Sequence, residues 1–333
     1  MSWAVPEFPY EPRDEQELRE VEDAYLTPVR QGPLRVVNRP TRWFRGAVHD
    51  RDGRLLAMSQ KVGGLHGNQA AQADPTRVTP RPEVRRLEGS WLYGGHWIGH
   101  FGHFFTESVT TLWPRDLDIR GLVFHRYLGR HHGIQPWQSE LVERAGWGGL
   151  PVEVVTGTPV QVERLWVPSR SVVANGWAHR GAVDVWDRMV SSVEARPPGP
   201  ERVFLSRRAF NERRRAEGLS TRTPALRDER LDRAFADAGF AVVAPESLTI
   251  AEQIALAAGS RTLAGSAGSS LHLSAFAPAG TQVLELGDTR SPEVQVPMQR
   301  VIDVVREHPS AFVPFTTSVS ELRTTLRRLG LAG

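Results

Sequence analysis

Between Tyr93 and Pro114 the chain reads YGGHWIGHFGHFFTESVTTLWP, and His96, His100, His103 and Glu107 follow one another at intervals of four, three and four. On a helix that spacing stacks all four on one face. A carboxylate beside imidazoles suits general-base chemistry, in which one group orients a ring that titrates near neutrality. The same set suits ligation of zinc or a similar ion. A third reading is a buried aromatic helix, with Phe101, Phe104, Phe105 and Trp113 as core and the histidines bonded to nearby backbone. The run lacks the HExxH spelling of zinc hydrolases, so no metal ligands are assigned.

A second stretch, RTLAGSAGSSLHLSAFAPAGTQVLEL at Arg261 to Leu286, suits anion binding. Thr262 to Ala264 reads as a buried strand, Gly265 to Gly268 as a turn, Ser269 to Phe276 as a helix stopped by Pro278, and Gln282 to Leu286 as a second strand. Glycines at a strand exit let backbone approach a ligand, and a helix start adds free N–H groups and a positive dipole end, a setting for phosphate. The turn has neither the Walker lysine nor the GxGxxG spelling. Two pairs, Asp50 with Asp52 and Asp116 with Asp118, match the DxD spelling of metal-dependent sugar transferases, but Asp50 to Gly53 reads as a hairpin turn. The run Arg213 to Arg215 falls in a solvated loop that could reach a diphosphate or anionic lipid.

Composition bounds what can position these groups. The 333 residues are 40% hydrophobic and 24% charged, which fits two folded domains. There is no cysteine, which excludes disulfides, thiolate metal sites and a cysteine nucleophile. The formal charge is only +3, which gives no sign of a nucleic-acid partner, and among the basic residues Lys61 is the single lysine. No signal-like amino terminus or run of about 18 apolar residues is present, so a soluble, cytoplasmic protein is expected.

Elements alternate along the chain. Asp14 to Tyr25 carries Leu18, Val21 and Tyr25 at helical spacing and predicts a surface helix. Strands are expected at Leu34 to Val37, Arg45 to Ala57, Gly121 to His125, Val152 to Val155 and Arg164 to Val167, with helices at Pro136 to Arg144 and Ala182 to Glu194 and a loop at Gln60 to Arg86. A Pro/Gly-rich break at 196–200 divides an α/β domain, 1–195, from a second one, 201–290, followed by a segment, 291–333, with a final helix. In the second domain Arg202 to Leu205, Leu226 to Ala238, Phe240 to Val243 and Thr249 to Ala258 lead into the glycine stretch. Four strands alternating with three helices predict a doubly wound, Rossmann-like sheet that binds ligands beyond its strands' carboxyl ends. Ser206, Arg207, Arg208, Pro245, Glu246 and Gly265 to Ser270 all fall there, which favours an anionic, nucleotide-like ligand.

FGHFFTESVTTLW at Phe101 to Trp113, VFLSRR at Val203 to Arg208, APESLTIAEQ at Ala244 to Gln253 and AGSAGSSLHLSAF at Ala264 to Phe276 resemble, in order, the motifs of glycosyltransferase family 61. That family includes bacterial capsular-polysaccharide enzymes and eukaryotic enzymes acting on protein glycans and plant xylan. The resemblance spans about Gly94 to Leu286 and implies a GT-B architecture, two Rossmann-like domains facing a cleft. It implies inverting transfer from a nucleotide sugar to a hydroxyl of a glycan, glycolipid or other acceptor, without a metal or other cofactor. On this reading Arg207, Arg208, Glu246, Ser266, Gly268, Ser269, Ser270 and His272 face the donor, and Glu285 its ribose. His103 or Glu107 is the base, and His96 and His100 lie on the acceptor side. The family's arginine and asparagine–glutamate pair are only approximated by Arg222, Asp228 and Glu229, and Ser266 and Ala267 replace a common proline or histidine. Two alternatives remain: a non-catalytic binding protein of the same fold, and a metal-dependent hydrolase using His96, His100, His103 and Glu107. Peripheral membrane contact is also open.

Overall fold

The computed structural model describes residues 2–6, 15–36, 39–61, 71–72, 74–81, 83–127, 133–194 and 199–332. It is a mixed α/β structure whose contacts divide into two units, Arg13–Arg188 and Met1–Pro12 with Met189–Gly333. The expected linker lies partly outside the described residues.

The first unit contains β1 (Leu18–Leu26), β2 (Arg30–Val36), β3 (Arg39–Arg45), β4 (Val48–His49), β5 (Ala71–Gln72), β6 (Arg85–Trp97), β7 (Gly121–Arg126), β8 (Val152–Val155), β9 (Val160–Pro168), β10 (Val172–Val173) and β11 (Trp177–Ala178). Its main sheet has the order β4-β1-β9-β6-β7-β8; β1 runs antiparallel to β4 and β9, while β6 to β9 are parallel. The helices are α1 (Phe101–His103), which continues as a π-turn over Phe104–Ser108 and a 3-10 turn over Val109–Leu112, then α2 (Pro136–Val142) and α3 (Gly181–Ser191). The core beneath the sheet gathers Val21, Ala24, Leu26, Trp91, Tyr93, Val123, Val162 and Leu165.

Two expectations are corrected here. The surface helix at Asp14 to Tyr25 is strand β1 in its described part. Asp23 there takes a positive φ of 49°, which interrupts the two-residue alternation, so the buried Val21, Ala24 and Tyr25 fall at spacings that imitate a helix. The four-residue helical face is not formed either, because His96 belongs to β6 and the helix starts only at Phe101. Gly95, at φ 78°, accompanies a break in register between Tyr93 and His96, a bulge that turns His96 to pair with His125. The Asp50 turn stands as expected: Asp50 Oδ1 accepts the Asp52 and Arg54 N–H groups at 2.9 and 2.8 Å, and Gly53 has φ 77°.

The second unit is a five-stranded, all-parallel sheet of β12 (Arg202–Leu205), β13 (Ala241–Val243), β14 (Thr262–Ser266), β15 (Gln282–Leu286) and β16 (Ser310–Val313), in the order β13-β12-β14-β15-β16. Its helices are α4 (Arg208–Ala216), α5 (Ala225–Asp237), α6 (Ile250–Ala258), α7 (Pro297–Val305) and α8 (Val319–Arg328). α6 opens with the capping box of Thr249 and Glu252. The sheet has a fifth strand beyond the four expected, drawn from 291–333. One face packs Phe204, Ala264, Leu284 and Leu286 against Leu231 and Phe235 of α5 and Leu322 and Leu326 of α8. The strand order reverses between β12 and β14, and a doubly wound sheet binds its ligands at such a switch point.

Candidate functional site

Two clusters of functional side chains emerge, one in each unit. In the first, His103 and Glu107, four residues apart, meet as the spacing requires: His103 Nδ1 lies 2.6 Å from Glu107 Oε1. The other carboxylate oxygen, Oε2, accepts from Lys61 Nζ, and both members of that ion pair are buried. Burial alone would push the Glu107 carboxyl up, but the Lys61 charge, aided by the His103 hydrogen bond, brings it down to about 2. Glu107 is therefore an ionised acceptor and His103 Nδ1–H donates to it, so the lone pair of the ring is on Nε2. The His103 side chain is 39% exposed against 2% for Glu107. The turn is braced by hydroxyls: Thr111 Oγ1 donates to the Glu107 carbonyl at 2.9 Å, and Ser108 Oγ donates to the His96 carbonyl at 2.6 Å.

His96 lies apart from this pair. Its Nδ1 accepts from Arg170 Nη2 at 2.7 Å, and burial, followed by the Arg170 charge, holds the ring neutral, well below its ordinary titration range. Its neighbour His125 is brought down by burial to about 4 and shares a 2.7 Å hydrogen bond with the Tyr93 hydroxyl. His100 stands at the N-cap position of α1 without a capping side-chain hydrogen bond, exposed, with its ring 5.1 Å from that of His103. Among the described residues no three His, Asp or Glu side chains come together as a metal-ligand set.

The second cluster sits where β12 and β14 end. Gly268, at φ 135°, faces guanidinium groups: a Cβ there would lie 2.9 Å from Arg207 Nη1, 3.2 Å from Arg222 Nη1 and 3.7 Å from Arg290 Nη2. The carboxylate among them is Asp288, whose Oδ2 is 3.9 Å from Arg222 and 3.8 Å from Arg290. Asp288 Oδ1 accepts the Arg290 and Ser291 N–H groups at 2.8 and 3.0 Å, which fixes the loop after β15. Burial, then the charges of Arg290 and Arg207, lower Arg222 to about 10, and burial also lowers Arg207. Arg207 Nε, Ser270 Oγ and Asp288 Oδ2 are buried without a hydrogen-bond partner among the described residues. Of these, Arg207 Nε and Ser270 Oγ are donors, and unpartnered donors beside mutually repelling arginines suit an incoming anion, while Asp288 Oδ2 is an acceptor that faces the arginines.

The other expected donor residues are placed unevenly. Ser266 is buried at the end of β14, and Ser269 is half-buried in the turn. Glu246 is exposed in the turn after β13, near enough to Arg207 to favour its charge. Arg208 turns away to pair with Glu212 at 2.8 Å. The expected helix over Ser269 to Phe276 is a six-residue 3-10 segment, Leu271–Phe276, too short to supply a dipole, so the positive potential comes from the arginines instead. His272 is buried there and shares a 2.9 Å hydrogen bond with Gln299. Glu285 is fully buried rather than presented at the sheet edge: both oxygens lie 3.2 Å from the Val296 nitrogen, and burial pushes its carboxyl well above the ordinary range.

In the sequence, Arg290, Asp288 and Arg170 belong to no motif, Arg222 is only an approximate family counterpart, and Lys61 stands out only by count. Arg290 carried a usable signal, because it follows the last strand of the glycine stretch by four residues. Lys61 carried one too, as a single lysine where arginine is otherwise the rule.

An all-parallel sheet with its polar and charged side chains gathered at the switch point places the second unit in the doubly wound α/β class. The sequence profile of the Glycosyltransferase 61 family matches residues 101–284, more than half of the chain and including His103, Glu107, Arg207, Arg222 and Gly268, and the protein belongs to that family. It is thus a glycosyltransferase, with a sugar donor and an acceptor as substrates. No curated protein matches the chain.

Proposed function

We propose that the protein transfers a sugar from a nucleotide-sugar donor to a hydroxyl of a glycan, glycolipid or other acceptor, with inversion and without a metal, in capsular, cell-surface or other glycan synthesis in the cytoplasm. The observation that carries this reading is the convergence of Arg207, Arg222 and Arg290 on Gly268 at the switch point. Three guanidinium groups there hold the donor's diphosphate and neutralise the charge that grows as the anomeric carbon–oxygen bond breaks, the task a metal performs elsewhere. The acceptor oxygen attacks the opposite face of that carbon and gives its proton to His103 Nε2, while Glu107 keeps the ring in this tautomer. Glu107 is too weak a base to take the proton itself. The reading goes with the GT-B architecture that the family resemblance implies.

A thermal-shift screen against UDP, GDP, CDP, dTDP and their sugar conjugates tests it, since a ligand held at about 100 times its Kd adds about 2.7 kcal/mol to stability. One nucleotide series is expected to raise Tm, and Arg207→Ala to abolish the rise. His103→Ala should keep the shift and lose transfer. Folded protein that no nucleotide stabilises would overturn the reading.

A further inference from the structure

Lys61 is the single lysine among 41 lysines and arginines, and it lies outside the family match, yet it is buried against Glu107. Its segment is pinned from both sides. The Lys61 N–H donates to Gln72 Oε1, whose Nε2 donates to the Gly46 carbonyl at 3.1 Å and Asp74 Oδ2 at 2.8 Å, and the Gln60 carbonyl accepts Arg170 Nε at 2.9 Å. The ammonium ends on Glu107 Oε2, and Oε1 is left for His103.

We propose that Lys61 is a positioning residue for the transfer reaction: it occupies one oxygen of Glu107 as a point charge, so that the other oxygen fixes His103 as the proton acceptor. The proposal rests on the reading of His103 as the base. Lysine suits this place where arginine does not. A guanidinium is a planar fork that takes both oxygens of a carboxylate, and it would displace the imidazole; an ammonium binds one oxygen and leaves the other. Among the described residues, the other titratable or charged groups around the pair include Arg170, Tyr127, Tyr93, His96 and His100. Of these, Tyr127 is pushed up to about 12 by burial and then by the Glu107 charge, and His96 is neutral.

With one lysine in the chain, lysine labelled with nitrogen-15 at Nζ gives a single side-chain signal in the full-length protein. That signal is expected to exchange slowly with water and to move in His103→Ala; a freely exchanging ammonium that ignores this substitution overturns the proposal whatever the other variants do. Removing the charge with Lys61→Met raises the proton affinity of the Glu107–His103 pair. The His103 titration by NMR, and the acid limb of kcat/KM, should then move to higher pH by about one unit or more, while the donor KM stays within twofold. Lys61→Arg should fail to restore kcat. A folded Lys61→Met protein with an unmoved titration and acid limb sinks the proposal and leaves the transfer reading standing. A moved titration in a protein that His103→Ala leaves fully active defeats the base assignment, and with it this role for Lys61.

Discussion

Taking a guanidinium even partly out of water costs desolvation, and Arg207 and Arg222, both half-buried, and the more exposed Arg290 face one glycine and repel one another, with Asp288 close to Arg222 and Arg290. Such a cluster is relieved when an anion enters, so its members should matter to binding more than to folding. Arg222→Ala and Arg290→Ala should each weaken nucleotide binding about 10- to 100-fold, the range of a hydrogen bond to a charged group at about 1.5–3 kcal/mol. Arg208→Ala, whose side chain is committed to Glu212, should change affinity less than twofold. Titration calorimetry on the three variants checks the contrast; equal losses would mean that the arginines act only through the general field of the unit. At this scale Arg207 and Gly268 were legible in sequence because each follows a strand by two residues, and Arg290 follows one by four, whereas Arg222 reaches the same point from the connection between α4 and α5.

Elements decide which side chains those residues meet. Position 285 sits inside β15, beside Gly265 and Phe312 in the neighbouring strands, and the pleat turns its carboxylate into the unit toward Val296 and Asp303. Because its pKa in the folded state is raised above the ordinary 4.5, the stability it contributes is fully present below that pH and is lost as pH rises through the folded value. Glu285→Gln keeps an oxygen for the Val296 N–H and removes the ionisation. The variant should melt like the wild type near pH 4 and above it at pH 8, by about 2–4 °C for each kcal/mol released; calorimetry at the two pH values checks this. The strand itself was legible to the residue, since Gln282 to Leu286 is a short apolar run between turns. The inward direction of Glu285 was not, because α7 covers that face from a segment read only as a tail.

For the molecule as a whole, the two clusters belong to different units of the chain, and a donor held by the arginines should leave a regional signature. Hydrogen exchange with a saturating nucleotide should slow at 205–222, 266–272 and 286–291 and remain unchanged around Gln60, Lys61 and the His103 turn. Protection confined to 85–112 would assign the donor to the other unit. Among the described residues no helix is long and apolar enough to cross a membrane. The sequence by itself determined the α/β class, the glycine turn, the positions of β8, β12 and β15 and the pairing of His103 with Glu107, because each depends on spacing within about a dozen residues. Tertiary structure alone decided that Asp23 bends a strand, that His96 leaves the helix for β6 and Arg170, and that Lys61 closes on Glu107 from 46 residues away. Those outcomes follow from sheet register and from loops meeting at strand ends, and hydrophobic periodicity carries no record of either.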